Sequence, residues 1–242
     1  MAARRTAGPT TPTGPRETKS ERTRGRILDA AAHVLSIKGY SGTRLTDVAE
    51  YAELQAPAIY YYFPSREELI EEVMWVGIAE MREHVLAALD AADPDADAMD
   101  RIMVAVEAHL RHELEISDYT TASIRNSGQV PEQISARQKS EEALYGEVWR
   151  KLFKNAADAG MIRADLDQRV ARMLVMGALN WAVEWWNPRR GSLDSVVASA
   201  QTLVRAGLSP SPSTAESITS ADSPRTRASR TAASRRSAAR SA

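Results

Sequence analysis

Three consecutive tyrosines, Tyr60, Tyr61 and Tyr62, are the residues whose type and spacing most directly suggest chemistry. A buried tyrosine hydroxyl needs a hydrogen-bond partner, so three in a row are poor material for a protein core. On an exposed helix the same hydroxyls can donate to phosphate oxygens, which fixes the register of a protein on a duplex. The cluster therefore favours contact with nucleic acid over a structural role.

Helix signals on the N-terminal side of the tyrosines predict a helix-turn-helix. The spacing of apolar residues predicts a first helix that begins near residues 19–21 and ends at Gly39. A short second helix, capped by Thr46, is followed by a turn over residues 53–55 and by a third helix over residues 56–62. In such a motif the second helix of the pair enters the major groove, where the base edges can be distinguished.

The segments that follow also have the pattern of helices. Ser65 and Glu68 form a capping box that starts a long fourth helix, which runs towards Leu89 and is broken around Pro94. Apolar spacing and Gly, Asn and Pro breaks predict further helices at about 97–116, 117–127, 131–158, 167–186 and 193–206. No stretch alternates convincingly with period two, so the predicted fold class is all-α.

Positive charge is concentrated at the two ends of the chain. Residues 1–26 hold seven Lys and Arg against two Glu, and residues 209–242 hold six Arg against two acidic residues, whereas the net charge of the whole chain is −1. Basic ends on an acidic body suggest a polyanionic partner. For the C-terminal end, a solvated disordered tail is the favoured explanation. At the N-terminal end, we expect some of four basic residues to reach phosphates or the minor groove: Lys19, Arg22, Arg24 and Arg26.

The sequence excludes several other classes of function. It contains no cysteine, which removes disulfides, thiol catalysis and cysteine-ligated zinc. His109 and His112, with Glu113 adjacent, have a spacing that suits a metal, but no third clear ligand accompanies them, and no metal site is predicted. No phosphate-binding Gly-rich loop or nucleophile elbow occurs, so we predict neither an enzymatic activity nor a cofactor.

Hydropathy gives no reason to expect a membrane partner. The N-terminus lacks the apolar segment of a secretory signal. The longest apolar run, residues 170–186, contains Arg172, Asn180 and Glu184 and is too short to span a bilayer. The expected location is therefore cytoplasmic.

The block from Arg24 to Leu69 resembles the DNA-binding domain of TetR-family repressors. The matching elements are Ile27-Leu28-Asp29-Ala30-Ala31, Gly39-Tyr40, Thr43 with Leu45-Thr46-Asp47-Val48-Ala49, and an aromatic-Phe-Pro-Ser-basic-Glu-Glu-Leu pattern that ends at Leu69. The resemblance implies an N-terminal three-helix helix-turn-helix DNA-binding domain and a larger C-terminal helical domain for ligand binding and dimerisation. It further implies a homodimer that represses transcription from a palindromic, double-stranded operator and is released by a small-molecule effector.

Carried over position by position, the resemblance assigns contacts with DNA. The base edges are read at Gln55, Ala56 and Pro57. Phosphate contacts fall on a second set of residues: Thr43, Thr46, Tyr60, Tyr61, Tyr62 and Arg66. Because Ala56 and Pro57 offer no side-chain hydrogen bond, base reading is expected to depend on Gln55, on apolar contact with thymine methyl groups and on backbone groups.

Two positions depart from the pattern of the family. Pro57 replaces a common glycine, although the tetracycline repressor itself also has proline there. Glu53 stands in the turn where many members have glycine, and it lacks the freedom of glycine in a left-handed conformation. The geometry of that turn is therefore left open.

An apolar stretch near the C-terminus, Gly177 to Trp186, admits two interpretations. A helix that is apolar nearly all round is buried on more than one side, which predicts that this helix and the following one pair with their copies in a second subunit. Alternatively, its side chains line a pocket for a large apolar effector. The candidate pocket residues are Arg125, Arg172, Met173, Met176, Asn180, Trp181 and Trp185.

The same stretch is similar to a TetR subgroup whose members respond to acyl-CoA thioesters, including sterol-catabolism repressors. The similarity is carried by Gly-Ala-Leu-Asn-Trp at residues 177–181 and by Trp-Trp-Asn-Pro at residues 185–188. It implies an acyl-CoA effector, for whose phosphates Arg125, Arg169 and Arg172 are the candidate cations.

We therefore expect four segments along the chain. They are a disordered arm (1–18), a helix-turn-helix DNA-binding domain (19–64), a helical effector-binding and dimerisation domain (65–208) and a disordered Arg/Ser/Ala-rich tail (209–242). Two other classes remain open: a helical enzyme or lipid carrier without specific DNA binding, and a nonspecific architectural DNA binder. Discrimination between an operator and a random duplex separates all three.

Overall fold

The computed structural model describes residues 18–132 and 135–210, and within these ranges it contains helices and no β-strand. The all-α fold class predicted from the sequence is confirmed. The α-helices are α1 (Lys19–Gly42), α2 (Leu45–Tyr51), α3 (Ala56–Tyr62), α4 (Arg66–Ala91), α5 (Ala98–Arg111), α6 (Asp118–Asn126), α7 (Ala136–Asp158), α8 (Gln168–Asn180), α9 (Ala182–Trp185) and α10 (Leu193–Leu208), with a π-helix, His112–Ile116, between α5 and α6.

The predictions about disorder fall almost entirely outside the described part of the chain. Only Thr18, Ser209 and Pro210 of the predicted arm and tail lie inside it. Across the two described ranges, no helix is both long enough and apolar enough to cross a lipid bilayer.

Local capping explains where the first helices begin. Thr18 and Glu21 form a capping box, in which each side chain accepts the backbone N–H of the other, so α1 begins at Lys19 as predicted. Gly39 has a positive φ of 69° and interrupts the helical geometry, which confirms it as the point where the regular helix stops. Ser65 caps α4 by accepting the N–H of Glu68, also as predicted.

Several predicted boundaries were wrong. The residue at the N-cap of α2 is Arg44, without a capping hydrogen bond, because the helix begins at Leu45 and Thr46 already lies inside it. The single helix predicted over 97–116 is α5 followed by the π-helix, whose wider turn ends where Ser117 caps α6. The helix predicted over 167–186 is divided at Trp181 into α8 and α9.

Two apolar clusters form the core, and α4 contributes to both. The first cluster joins α1, α2 and α3 to the first half of α4, where Leu69, Val73 and Met74 are buried. The second joins α5, α7, α8 and α10 to the second half of α4, from Ile78 to Leu89. A rigid helix shared between two clusters links their positions, because it cannot move in one cluster without moving in the other.

The backbones of α4 and α6 touch where the two clusters meet. Gly77 of α4 has no side chain, and a Cβ placed there would lie 2.2 Å from the backbone oxygen of Tyr119. The Thr120 hydroxyl donates to the carbonyl of Gly77 at 3.0 Å, and the Ser123 hydroxyl donates to that of Met74 at 2.7 Å. Only glycine permits an approach this close.

The substitution Gly77→Ala tests the close contact. It should lower the free energy of unfolding by about 2–3 kcal/mol, because the clash is with backbone and cannot be relieved by turning a side chain. Gly25→Ala in α1 is the matched control, since a Cβ there meets nothing within 4 Å. The control should raise stability by roughly 0.5–1 kcal/mol. Urea unfolding followed by circular dichroism measures both changes, and equal stability of the two variants would contradict the close contact.

Candidate nucleic-acid interface and ligand cavity

The third helix is anchored by apolar residues and presents tyrosines outward. Ile59 and Phe63 are buried in the first core cluster. Tyr60 and Tyr61 are 56% and 83% exposed, and Tyr62 is half-buried with its ring edge-on to that of Tyr61. An exposed aromatic surface of this kind on a seven-residue helix leaves the hydroxyls available to a partner.

The turn before α3 adopts the left-handed geometry that the sequence left open. Glu53 has a φ of 53°, the one positive φ of a non-glycine residue in the described part of the chain. Backbone hydrogen bonds hold the turn, with Leu54 N–H donating to the Ala49 carbonyl at 2.9 Å. The Arg26 guanidinium donates to the carbonyl of Ala52 beside it. These bonds offset the strain of a side chain in this region, which is of order 1–3 kcal/mol.

The predicted base-reading residues lie at the exposed start of α3. Gln55 is the N-cap and Pro57 lies in the first turn, where a missing N–H leaves no helical bond unmade. Both are exposed, and Ala56 between them is half-buried. The structure therefore brings Gln55, Pro57, Tyr60 and Tyr61 onto the outer surface of one short helix.

The predicted phosphate contacts outside α3 are of two kinds. Thr46 is exposed near the start of α2. Thr43 is buried, and its hydroxyl donates to the Gly39 carbonyl at 2.8 Å. Arg66 donates to the carbonyls of Thr43 and Tyr40 and stacks on the Tyr40 ring. Thr43 and Arg66 thus hold the end of α1 against the start of α4.

Arg24 is also engaged within the protein. It forms an ion pair with Glu72 of α4 and lies over the ring of Phe63. The neighbouring Lys19 and Arg22 are exposed, as is Arg44 at the N-cap of α2. Sequence reasoning missed Arg44, and the one signal for it was its position just before the second helix.

A cavity of about 300 Å³ lies between α4, α5, α6, α7 and α8. Four of the seven predicted effector residues line it: Arg172, Met173, Met176 and Asn180. The other residues that line the cavity lie outside residues 170–186, and the sequence analysis did not predict them. They are Ile78, Met81, His109, Thr120, Ser123, Ile124, Ser127, Glu142, Tyr145 and Gly146. Sequence analysis missed them because residues far apart in the chain meet only after the helices pack.

The remaining predicted effector residues lie elsewhere. Arg125 does not line the cavity, because its guanidinium donates to Glu184 and to the carbonyls of Val183 and Ser36. It therefore joins α6 to α1 and α9. Trp181 and Trp185 are 64% and 53% exposed, which places them on the surface rather than in the cavity.

One side of the cavity carries buried polar groups. The ring nitrogen Nδ1 of His109 lies 2.8 Å from the hydroxyl of Tyr145, and Nε2 lies 3.2 Å from Oε2 of Glu113. All three residues are buried. His112 stands against the ring of His84, with 4.8 Å between the ring centroids. In the described ranges, no group of three or more His, Asp or Glu side chains has the geometry to hold a metal ion.

The last long helices expose an apolar surface. Leu174 and Leu203 are 69% and 74% exposed, and other large side chains beside them are also exposed: Val170, Met173, Trp181 and Trp185. Gly177 and Ala178 on the same helix, α8, are exposed as well. Several large apolar side chains exposed on neighbouring helices are typical of an interaction site.

The fold and the outward face of α3 define a helix-turn-helix protein with a separate cavity, and comparisons with known proteins agree with this fold. Residues 27–73 match the family described as "Bacterial regulatory proteins, tetR family". Residues 95–207 match "Tetracyclin repressor-like, C-terminal domain". The two matches together cover more than half of the chain. The chain belongs to the TetR family, whose members are transcriptional regulators and not enzymes.

Individual relatives are distant but span most of the chain. The HTH-type transcriptional repressor NicS of Pseudomonas putida is 26% identical over 195 residues, which cover 77% of this chain and 85% of NicS. The fatty acid metabolism regulator protein of Bacillus subtilis is 24% identical over 184 residues, or 74% and 90% of the two chains. The structure of AibR in complex with isovaleryl coenzyme A and operator DNA matches with a TM-score of 0.67 at 19% identity, over 75% of this chain and 96% of AibR.

The buried His112 predicts a loss of stability in acid. Burial, together with the neighbouring His84 and His109, lowers the pKa of His112 to about 4. The unfolded chain, with an ordinary histidine pKa near 6.5, binds more protons than the folded chain between these values. The contribution of neutral His112 to stability is therefore present above about pH 6.5 and is lost as the pH falls towards 4.

Replacement of His112 by asparagine should reduce this loss. The measurement is urea unfolding of the wild type and of His112→Asn at pH 7 and pH 5, taken as the difference between the two proteins so that shared carboxylates cancel. The wild type should lose more stability than the variant over this interval. An identical loss in the two proteins would show that His112 does not stay neutral in the fold.

Proposed function

We propose that this TetR-family regulator is a homodimeric repressor that binds a palindromic operator through α3 and is released by a small, largely apolar effector. The observation that carries the proposal is the arrangement of α3, in which Ile59 anchors the helix and Tyr60 and Tyr61 face outward. Two copies of this helix about 34–36 Å apart would enter successive major grooves. A cytoplasmic location is part of the proposal, since the operator is chromosomal DNA.

The proposed contacts follow from what each exposed side chain can donate. Gln55 can form paired hydrogen bonds with an adenine edge, and Pro57 can contact a thymine methyl group. Tyr60, Tyr61 and Tyr62 can donate to phosphates, and the exposed Thr46 can do the same from α2. The other predicted contacts, Ala56, Thr43, Arg24 and Arg66, are half-buried or engaged within the protein: Ala56 fits between the reading residues, and the remaining three hold α1 and α4 behind them.

Dimerisation through α8 and α10 supplies the second recognition helix. The exposed apolar side chains on these two helices would be covered by the same helices of a second copy, as in a four-helix bundle. Gly177 and Ala178 would permit close approach of the paired helices. On this interpretation Trp181 and Trp185 belong to the dimer surface and its margin, not to the effector site.

The cavity is the proposed effector site. Its lining is mainly apolar, with Ile78, Met81, Met173 and Met176, which suits an acyl chain or another apolar body. The names of two relatives, the fatty acid metabolism regulator and the complex of AibR with isovaleryl coenzyme A, support an acyl-CoA thioester as the effector class. Arg172 is the cation among the lining residues, and one of its N–H groups donates to the Gly146 carbonyl. Arg125 is not among the lining residues.

We propose that α6 connects effector binding in the cavity to the position of the DNA-binding helices. Thr120, Ser123 and Ile124 of α6 line the cavity. At the far end of the same helix, the Asn126 side chain accepts the N–H of Tyr40 at 2.7 Å, and Arg125 donates to the Ser36 carbonyl. A ligand that displaces α6 would therefore also displace α1. The effector must favour the state released from DNA, typically by about 1–3 kcal/mol.

Loss of the tyrosine hydroxyls should abolish operator binding without unfolding the protein. The double variant Tyr60→Phe/Tyr62→Phe removes two hydrogen-bond donors per subunit, so affinity should fall roughly 100-fold or more, because hydrogen bonds to charged groups contribute about 1.5–3 kcal/mol each. DNase footprinting on DNA that flanks the encoding gene measures the effect. Tyr51→Phe is the control, because Tyr51 is equally exposed but lies on α2.

The footprint also separates the other classes of protein. Wild-type protection at the operator by the double variant would refute the assigned contacts. Equal affinity of the wild type for operator and random duplex would indicate a nonspecific DNA binder, and no DNA binding at all would indicate a lipid carrier or enzyme.

Charge on the apolar surface should dissociate the dimer. Leu174→Glu combined with Leu203→Glu places carboxylates at the centre of the proposed interface, where burial without a partner is unfavourable by several kcal/mol. Sedimentation equilibrium should change from dimer to monomer, with circular dichroism unchanged. Ile37→Glu is the control, since Ile37 is 65% exposed on α1, away from α8 and α10. A double variant that remains dimeric would place the interface elsewhere.

A further inference from the structure

A chain of three buried polar side chains ends at the wall of the cavity. Glu113 lies deepest, with its side chain fully buried and neither carboxylate oxygen in a hydrogen bond of good geometry. His109 lies between it and Tyr145, with 3.2 Å from Nε2 to Glu113 and 2.8 Å from Nδ1 to the Tyr145 hydroxyl. His109 and Tyr145 both line the cavity, whereas Glu113 does not.

The π-helix gives Glu113 this inward position. Glu113 is the second residue of the π-helix and lies four residues after His109, which puts both side chains on the same helical face. The Thr121 hydroxyl donates to the Glu113 carbonyl at 3.1 Å and so ties the wide turn to α6. Wide turns of this kind often occur at functional sites.

The position of the protons in this chain follows from the charge that burial allows. A carboxylate and a neutral imidazole would together carry one negative charge, which is unfavourable in a buried site without a compensating cation. If the pair is neutral, a proton lies between Nε2 and Oε2, and the remaining imidazole proton must be on Nδ1. This holds whether the shared proton belongs to His109 or to Glu113.

The charged and titratable neighbours do not supply another cation to Glu113. The ring of His112 stays neutral because burial and the nearby histidines His84 and His109 lower its pKa to about 4. Arg82 is paired with Glu141, and Arg172 donates to the Gly146 carbonyl. Within the described ranges, the ion pair of Glu113 is with His109. The neutral form of the pair is therefore favoured.

The direction of the last hydrogen bond is then determined. With its proton on Nδ1, His109 donates to the oxygen of Tyr145, and the hydroxyl proton of Tyr145 is free to point elsewhere. Burial raises the pKa of Tyr145, so the hydroxyl keeps that proton. A buried donor without a partner is unfavourable by about as much as a lost hydrogen bond, and an acceptor from outside the protein would relieve it.

We infer that the Tyr145 hydroxyl, oriented by His109 and Glu113, donates to the cavity and selects a ligand with a carbonyl oxygen on an otherwise apolar body. This inference rests on the proposed function, because it takes the cavity to be the effector site, and it adds the chemical group by which the effector is held. Ketones, esters and thioesters share that group. Alkanes lack it, and amines offer a donor in its place.

Matched probes of one chain length test the inference without knowledge of the natural effector. The probes are methyl octyl ketone, decane and decylamine, added to the full-length protein in the absence of DNA. Their dissociation constants are measured by calorimetry and by tryptophan fluorescence, to which Trp149 contributes with its ring edge-on to Tyr145 and 6.4 Å between centroids. The ketone should bind roughly fivefold more tightly than decane, which corresponds to about 1 kcal/mol, and decylamine should bind more weakly than both.

The variant Tyr145→Phe keeps the ring and removes the donor. It should bring the affinities for the ketone and for decane together, a change in their ratio that a merely structural effect on the cavity would not produce. Tyr119→Phe is the matched control, because Tyr119 lies on α6 outside the cavity lining, with its hydroxyl bonded to Asp29. The control should keep the wild-type preference for the ketone.

The possible contrary results are distinct. Equal affinity for the ketone and decane in the wild type would overturn the inference, and this result does not depend on any variant. A preference for decylamine would contradict the inference, because the cavity would then favour a cationic donor, accepted by the Tyr145 oxygen or by the Glu142 carboxylate. Persistence of the ketone preference in Tyr145→Phe would place the donor elsewhere. Binding of none of the probes would reject the carbonyl ligand, whereas the operator footprint decides separately whether the protein is a repressor.

Discussion

The contact between α4 and α6 at Gly77 determines how the two apolar clusters are related. Because α4 has no side chain at this position, α6 can approach until its hydroxyl groups bond to the backbone of α4. From there α6 extends past the cavity and ends against α1, where Asn126 bonds to backbone groups of Leu35 and Tyr40. One short helix is thus in contact with the proposed effector site, the linking helix and the DNA-binding cluster.

Three arginines that the sequence suggested as ligand or DNA contacts instead stabilise the packing of the helices. Arg24, Arg66 and Arg125 all use their guanidinium groups to join separate helices. Arginine suits this role because its planar group donates in several directions at once. In a small helical domain, loop and helix-end carbonyls need donors, and the nearest arginine supplies them. Lys19 and Arg22 on α1 and Arg44 before α2 are instead exposed.

Two features of the structure are less stable than the usual arrangement of apolar residues inside and polar residues outside. One is the exposed apolar surface of α8 and α10, and the other is the buried group of Glu113, His109 and Tyr145. Leu174 and Leu203 remain in water although burial would stabilise them, and in the proposed dimer the second subunit would provide that burial. Glu113 and His109 are buried although water would solvate them better, and their mutual contact together with the bond between His109 and Tyr145 compensates in part. In the isolated chain, polar residues on the surface of α8 and α10 and apolar residues in place of Glu113 and His109 would be more favourable. Both therefore point to function: one to a second copy, the other to a ligand.

The sequence alone determined the features that depend on neighbours a few residues apart. The start of the first helix near Lys19, the Ser65 cap of α4, the stop at Gly39 and the extent of the third helix were predicted correctly, because caps, stops and short helices are set by local hydrogen bonds and by apolar spacing. The family resemblance depended on the same local block. Only the tertiary structure decided that Thr43 is buried, that Arg125 and the two tryptophans lie outside the cavity, and that His109, Glu113 and Tyr145 meet. Those outcomes depend on how helices distant in the chain pack together, and a pattern read within one helix contains no information about which of its faces will meet which partner.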